Sequence, residues 1–574
     1  MSAFIKVSGL SYRPENLPEN QPDILRRITL EIKPGSFCAI IGSNGSGKTT
    51  LLRAIAGLLL PTSGQVLIEG MDTRNSKHQS HLRSLMGVVF QNPVDQIVAS
   101  TVEEDIAFGL ENANLPTAVI KDRVARQLKN LDLVQEASHP PHLLSGGQIQ
   151  KCALAGVLAR QPRILLFDEP TTMLDPLTRK SFLNQIKALH KQGMTILLVT
   201  HHMEEAFQAD HIYVLHEGLL KIGGTPMEVL DKANMLYEIS LTIPEIALLS
   251  NKLYALGWDV LPNTLSFDDL NSALPEYNQS FLAQKQAISQ EENDVLIEIK
   301  DINYTYLAET PLARPALQGA SLSVNDGEIH GLAGSNGSGK STLLQHINGI
   351  LRPEKGTVRV AELAIEDPKT PLKEVIKKVG LVFQSPEEQF FEEFAGDEIA
   401  YGPKQLKRDM VRERVKIAME QVGLNFDTYK DRRIETLSGG EKRKLAIAST
   451  LVLDQDVLLF DEPTAGMDPE SRDEIMDLFK KLASEGKTII IASHRLEELA
   501  ELSQHLSLMS RGQVVNSGLP FQILNDKDLL AQSNLESPLT VVVSQKLIQK
   551  GWPIKNKDTS TPDRLVEAIK EVMG

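Results

Sequence analysis

The apolar residues of this chain fall into two patterns. Short unbroken runs, FCAII before Gly42, IHGLA before Gly334, ILLF at 164–167 and TILLVT at 195–200, predict strands buried on both faces, as in a parallel sheet covered by helices. Runs with helical spacing come next: TTLLRAIAGLL and STLLQHINGIL directly after glycine-rich loops, and longer segments at 148–160 and 441–453 after LSGG. Strand, loop and helix in that order predict an α/β core. No apolar run reaches the roughly 18 residues that a bilayer span needs, so the chain itself is not expected to cross a membrane. Its first residues carry no charged segment followed by a sustained apolar one, and no secretory signal is expected.

The pattern occurs twice, at a separation of about 293 residues, which suits a duplicated domain rather than a solenoid unit. GSNGSGKT at Gly42–Thr49 returns as GSNGSGKS at Gly334–Ser341, VVFQNPVDQ as LVFQSPEEQ, and LLSGGQ as TLSGGE. ILLFDEPTTMLDP returns as VLLFDEPTAGMDP, and VTHHMEEA as ASHRLEEL. The spacing from Gln91 to Ser145 equals that from Gln384 to Ser438, and Ser145 to Asp168 equals Ser438 to Asp461, so equal three-dimensional frames are expected. Similar tails close each copy and place the two tryptophans, Trp258 and Trp552, at matching positions. The expected organisation is a first domain at 1–240 with a tail at 241–274, a mildly acidic linker at 275–294, and a second domain at 295–530 with a tail at 531–574.

Composition narrows the function. At 574 residues the chain is too long for one hydrophobic core, and 41% hydrophobic with 24% charged residues excludes collagen-like, low-complexity and largely disordered classes. A formal charge of -15 is repelled by phosphate backbones, so nucleic acid is not expected as the main ligand. The two cysteines, Cys38 and Cys152, lie in apolar stretches, which disfavours disulfide scaffolds and structural zinc and fits a reducing cytosol.

In G-x-x-x-x-G-K-[ST], glycines let backbone N–H groups curl around phosphates at a helix N-terminus, the Lys reaches the β/γ-phosphates and the hydroxyl binds Mg²⁺. Lys48 with Thr49, and Lys340 with Ser341, fill those roles. The loop residues Ser43, Asn44, Gly45, Ser46 and Gly47 with Thr50, and Ser335, Asn336, Gly337, Ser338 and Gly339 with Thr342, complete two candidate ATP cradles. Strands ending in Asp168-Glu169 and Asp461-Glu462 put the Asp where Mg²⁺ is held and the Glu beside an attacking water. His201 and His494 recur at matching offsets and are expected to function, whereas His202, matched by Arg495, is expected to be a surface residue. Ser145, Gly146 and Gly147, and Ser438, Gly439 and Gly440, offer a second anion site per copy. One ATP hardly needs two such sites from one domain, so each signature is expected to face the other copy's nucleotide, the halves pairing head-to-tail.

With these motifs the chain resembles the ATP-binding cassette (ABC) family over nearly its whole length. That resemblance implies tandem P-loop NTPase domains, each with a RecA-like parallel-sheet core, a helical signature subdomain and a small C-terminal tail. It also implies Tyr12 and Tyr306 as adenine-stacking aromatics, Gln91 and Gln384 as sensors of Mg²⁺ and water, Glu169 and Glu462 as the groups polarising water, and His201 and His494 against the γ-phosphate. More narrowly, FQNPVDQIVASTVEEDIAFGLEN and FQSPEEQFFEEFAGDEIAYGP resemble the matching segment of cobalt/nickel and energy-coupling-factor (ECF) vitamin-importer ATPases. There, two ATPase subunits drive an integral membrane T component coupled to a substrate-binding S component. The resemblance thus implies a peripheral protein at the cytoplasmic face of the cell membrane, with no nucleic-acid partner.

Departures from the family pattern are few. The fifth signature position is Gln148 in one copy and Glu441 in the other, and the segments TMLD and AGMD carry Met173 and Met467. The competing reading is a twin-cassette ABC-F translation factor acting on ribosomes. Its inter-cassette segment is typically long, helical and basic, whereas the one here is short and mildly acidic.

Overall fold

The computed structural model describes the chain apart from residues 1–3, 15–21, 173, 278–293, 311–312, 466, 468, 556 and 574. Met173 and all but the ends of the expected linker therefore lie outside the described residues. The chain divides into two compact units, Met1–Pro244 and Glu245–Gly574.

In the first unit, Ile5–Tyr12, Leu25–Ile32, Ser63–Ile68 and Met71–Asp72 form an antiparallel sheet in the order Leu25–Ile32, Ile5–Tyr12, Ser63–Ile68, Met71–Asp72. A second sheet has Phe37–Ile41, Thr195–Val199, Ile164–Asp168 and Met86–Val89 side by side and parallel, with His211–His216 parallel to Phe37–Ile41 on the other flank and Leu219–Gly224 antiparallel at the edge. Every residue of Phe37–Ile41, Ile164–Asp168 and Thr195–Val199 is buried, as the unbroken apolar runs require. The helix Lys48–Ile55 packs its Leu51, Leu52 and Ile55 into the core between the two sheets. A helical arm, Val102–Glu111, Thr117–Asn130 and Gly146–Ala159, carries the LSGG segment.

The second unit repeats both sheets with the same connectivity: Val379–Val382, Val457–Asp461, Thr488–Ser493, Ile329–Gly334 and His505–Ser510 lie parallel in that order, with Gln513–Gly518 antiparallel at the edge. The α/β reading and the duplication both hold. The helices after LSGG start earlier than the apolar pattern suggested, at Gly146 and Gly439, because each signature serine is itself the N-cap.

The second unit also contains a helical module that joins the two tails. Glu245–Ala255 and Phe267–Ala273, which follow the first cassette, pack with Leu539–Gln549 and Pro562–Met573 around one apolar cluster. At its heart the Trp258 and Trp552 rings sit 5.0 Å apart, and Tyr277 stands edge-on to Trp552 at 5.5 Å. The Trp552 indole N–H donates to Pro275 O at 2.9 Å, and the Tyr277 N–H donates to Lys550 O at 3.0 Å.

Candidate active site

Each glycine-rich loop runs from the end of a buried strand into a helix. Gly47 and Gly339 are the helix N-caps in left-handed conformation, φ 99° and 106°, and a Cβ on Gly42 would come within 2.2 Å of Leu215 O. Glycine is required at both kinds of position: one needs positive φ, the other close backbone approach. The lysine folds back across the loop it anchors. Lys48 Nζ donates to Gly42 O (2.9 Å) and Ser43 O (3.0 Å), and Lys340 Nζ to Gly334 O (2.7 Å) and Ser335 O (3.2 Å). Asn44, Gly45, Asn336 and Gly337 form the outer part of the loops, and the hydroxyls of Ser46 and Ser338 are buried without a partner. Such orphaned donors on the inner side of a positively charged loop suit phosphate oxygens.

The carboxylates close the same space. Thr49 Oγ1 donates to Asp168 Oδ1 at 2.9 Å, and Ser341 hydrogen-bonds Asp461 in the second cassette. Burial pushes both aspartates up, Asp461 to about 6. Asp461 Oδ1 is buried with no partner, a hard acceptor beside the Ser341 hydroxyl. No group of three or more His, Cys, Asp or Glu side chains that could hold a metal occurs among the described residues. One carboxylate, one hydroxyl and phosphate oxygens is the donor set that suits Mg²⁺, which is rarely caged by protein alone.

Glu169 and Glu462 lie 3.9 and 3.7 Å from the lysine Nζ of their own cassettes. Both sit in the left-handed region, φ 44° and 48°, with their N–H groups donating to Val199 O (2.9 Å) and Ala492 O (2.8 Å). Non-glycine residues rarely take that conformation, and both copies adopt it at this position. His201 Nδ1 is 3.1 Å from Glu169 Oε2, His494 Nδ1 is 2.8 Å from Glu462 Oε1, and Gln91 Nε2 donates to Glu169 Oε2 at 3.2 Å. Burial works to raise both glutamates, yet the adjacent histidine and lysine outweigh it and hold them below the usual carboxylate range. Each is therefore ionised at neutral pH. Gln384 is exposed at the matching position, as Gln91 is.

The structure thus brings Lys48, Thr49, Gln91, Asp168, Glu169 and His201 together, and gathers Lys340, Ser341, Asp461, Glu462 and His494 in the same way. The LSGG serines lie elsewhere in each cassette, exposed at the starts of Gly146–Ala159 and Gly439–Leu451. Both form capping boxes with the fifth signature residue, and Gln148 donates to Glu136 while Glu441 accepts from Tyr429 and Arg432. The Gln/Glu difference between copies therefore preserves the cap and changes only its outer partner. Met467 is buried in the core.

The tyrosines are not equivalent. Tyr12 pairs across its sheet with Leu25, whereas the residue opposite the matching Leu317 is Tyr304; Tyr306 lies two residues on, opposite Arg314. Its hydroxyl is 3.3 Å from Thr342 Oγ1, beside the phosphate loop. His202, expected at the surface, is half-buried with its ring 4.1 Å from that of His201, because its N–H is tied to Thr200 Oγ1.

Two buried carboxylates were missed. Glu205 accepts from Thr171 (2.5 Å), Thr200 (2.7 Å) and Arg179 (2.6 Å), and Glu498 accepts from Thr464 (2.5 Å) and Arg495 (2.5 Å). Each ties the segment after Glu169 or Glu462 to the helix after His201 or His494. Their recurrence in HHMEEA and HRLEEL was the available signal; their burial was not.

Comparison with known proteins agrees with this geometry. The family profile described as ABC transporter matches residues 25–172 and 317–465. A protein of Caldanaerobacter subterraneus subsp. tengcongensis, named as a candidate ABC transporter ATP-binding protein, is 32% identical over 95% of this chain and 96% of its own. One of Methanosarcina mazei, named likewise, is 31% identical over 95% of this chain and 94% of its own. Among solved structures, CbiO1 of Clostridium perfringens, described as part of the ABC transporter complex CbiONQ, is 32% identical over 44% of this chain and all of its own, with a TM-score of 0.37.

Proposed function

This chain belongs to the ABC transporter family, and we propose that it is the ATP-hydrolysing subunit of an ECF-type importer for a vitamin or transition-metal ion. The observation that carries the narrower part is the use made of the residues on which the ECF resemblance rests. Gln96 donates to Val88 O (3.1 Å) and accepts from the Phe90 N–H (3.3 Å), while Asp105 Oδ1 accepts from the N–H groups of Val98 (2.9 Å) and Ala99 (3.3 Å). In the second cassette Glu398 Oε2 accepts from Phe391 and Glu392, both at 2.8 Å. These side chains shape the loop after Gln91 or Gln384; that loop presents Val94 and Val98, or Phe391, to solvent, and the helix that follows it presents Phe108 or Tyr401. Apolar side chains held outward by such polar ties suit a partner helix.

Catalysis in each cassette is positioning and charge stabilisation. Lys48 and Lys340 would bind the β/γ-phosphates on the loop N–H groups, Thr49 with Asp168 and Ser341 with Asp461 would hold Mg²⁺, and Mg²⁺ would neutralise phosphate charge. Glu169 and Glu462, kept ionised by His201 and His494, would orient the attacking water. Tyr12 and Tyr306 would bear on the adenine, and Ser145 and Ser438 with their glycines would offer the signature anion sites.

No described helix is long and apolar enough to cross a membrane. Under the ECF-type reading, integral membrane T and S components are partners of this chain, which sits peripherally at the cytoplasmic face. The test is co-purification of the tagged chain from mild-detergent extracts, with Glu169→Gln plus Glu462→Gln to trap bound ATP. Small integral membrane proteins are expected, and the S component among them would point to the substrate. Ribosomes without membrane proteins would instead make the chain an ABC-F-type factor and overturn the proposal.

A further inference from the structure

The helix that begins at each signature serine carries one residue toward its own cassette's catalytic glutamate, and the two copies differ there. Five positions after Ser438, Arg443 is 8% exposed, and its Nη1 donates to Glu462 O at 3.0 Å. Burial works against its guanidinium charge, and Glu462, Glu387 and Asp461 offset that cost only in part. Five positions after Ser145 stands Gln150, 2% exposed, with its Nε2 buried and without a partner. A neutral, unpaired amide in one cassette thus replaces a buried, hydrogen-bonded cation in the other.

Glu462 is the residue whose backbone needs such support. It holds φ 48°, its N–H is fixed by Ala492 O, and its C=O accepts the Ala465 N–H at 3.2 Å and, as a second and charged donor, Arg443, so both peptide groups flanking the strained Cα are pinned. Glu169 holds φ 44° with its N–H pinned to Val199 O and its C=O accepting, among the described residues, only the Thr172 N–H, at 3.4 Å, because Gln150 donates nothing to it. We propose that Arg443 is a positioning residue for the catalytic glutamate of the second cassette, with no counterpart in the first, so that the two sites hydrolyse ATP at different rates. Because Arg443 rides on the helix capped by Ser438, displacement of that helix is passed directly to Glu462. This rests on the reading of Glu462 as the water-orienting group.

The experiment uses the purified full-length chain with Arg443→Gln, Arg443→Lys, Gln150→Arg and Glu462→Gln, each checked for an unaltered unfolding midpoint, and measures ATP turnover against ATP concentration. Glu462→Gln defines the share of the wild-type rate that the second site supports. Arg443→Gln is expected to cut that share about tenfold, the loss of one hydrogen bond from a charged donor, with KM for ATP unchanged. Arg443→Lys, which keeps the charge and one donor, is expected to recover at least half of the share. Gln150→Arg is expected to raise the rate left in Glu462→Gln. The proposal is overturned by an Arg443→Gln protein at the wild-type rate, by Arg443→Lys no better than Arg443→Gln, or by Glu462→Gln at the wild-type rate. Wild-type protein that hydrolyses no ATP would refute the functional reading beneath it instead.

Discussion

Replacing Trp258 with Ala should lower the stability reported by Trp552, a residue nearly three hundred positions away. The two rings are 8% and 5% exposed and 5.0 Å apart in a cluster built from the segments after both cassettes. Truncating a buried Trp costs about 3–5 kcal/mol, and the aromatic pairing lost with it is part of that figure, so about 4 kcal/mol is expected. Against a typical domain stability of about 5–15 kcal/mol this is a large share. The chain has only two tryptophans, both in this module, so intrinsic fluorescence reads the module and little else. In equilibrium urea unfolding, the fluorescence transition of Trp258→Ala comes from Trp552 alone and should move to markedly lower urea than wild type. Leu261→Ala, which removes a side chain 75% exposed, should leave it within about 0.5 kcal/mol. A Trp552 transition unmoved by Trp258→Ala would show that the two tails fold independently and would refute the shared core.

Three further outcomes follow from the same packing. Glu205→Ala removes the acceptor shared by Thr171, Thr200 and Arg179, leaving a partly buried guanidinium and two buried hydroxyls unpaired; thermal or urea unfolding should show a loss of about 3 kcal/mol, with reduced ATP turnover through His201. Glu328 is buried, which alone would raise its pKa, but His330, the Asn325 N–H and His505 hold it down to about 2. Because the folded value lies below the unfolded one, this stabilisation is fully present above about pH 4.5 and is lost as pH falls through about 2. Roughly 3 kcal/mol should disappear over that window in wild type, and Glu328→Gln should lack that component in urea titrations at stepped pH. Burial pushes the thiols of Cys38 and Cys152 up to about 11 and about 12, so a thiol reagent at neutral pH should label neither in the native protein and both once it unfolds.

Much of the site was legible because its chemistry is written in short segments. Lys48 and Thr49 are adjacent to the loop they serve, Asp168 and Glu169 end the strand that presents them, and a second copy at equal spacing separates these motifs from chance. Other features depend on residues far apart in sequence that meet only in the fold. That Tyr304, and not Tyr306, stands opposite Leu317 as Tyr12 stands opposite Leu25 is set by cross-strand register.

By itself, the sequence determined the duplication, the α/β cassettes, the phosphate loops with their cations and carboxylates, and the absence of any apolar run long enough for a membrane span. These follow from local periodicity and from residue types whose chemistry acts over a few positions. Tertiary structure alone decided that Glu205 and Glu498 are buried clamps, that His202 stacks on His201, that Arg443 grips the Glu462 carbonyl while Gln150 grips nothing, and that two tails share one core around Trp258 and Trp552. Burial is the physical reason. Whether a polar side chain is solvated, paired or stranded depends on which distant elements close over it, and the free energy of that choice appears only when the chain has folded.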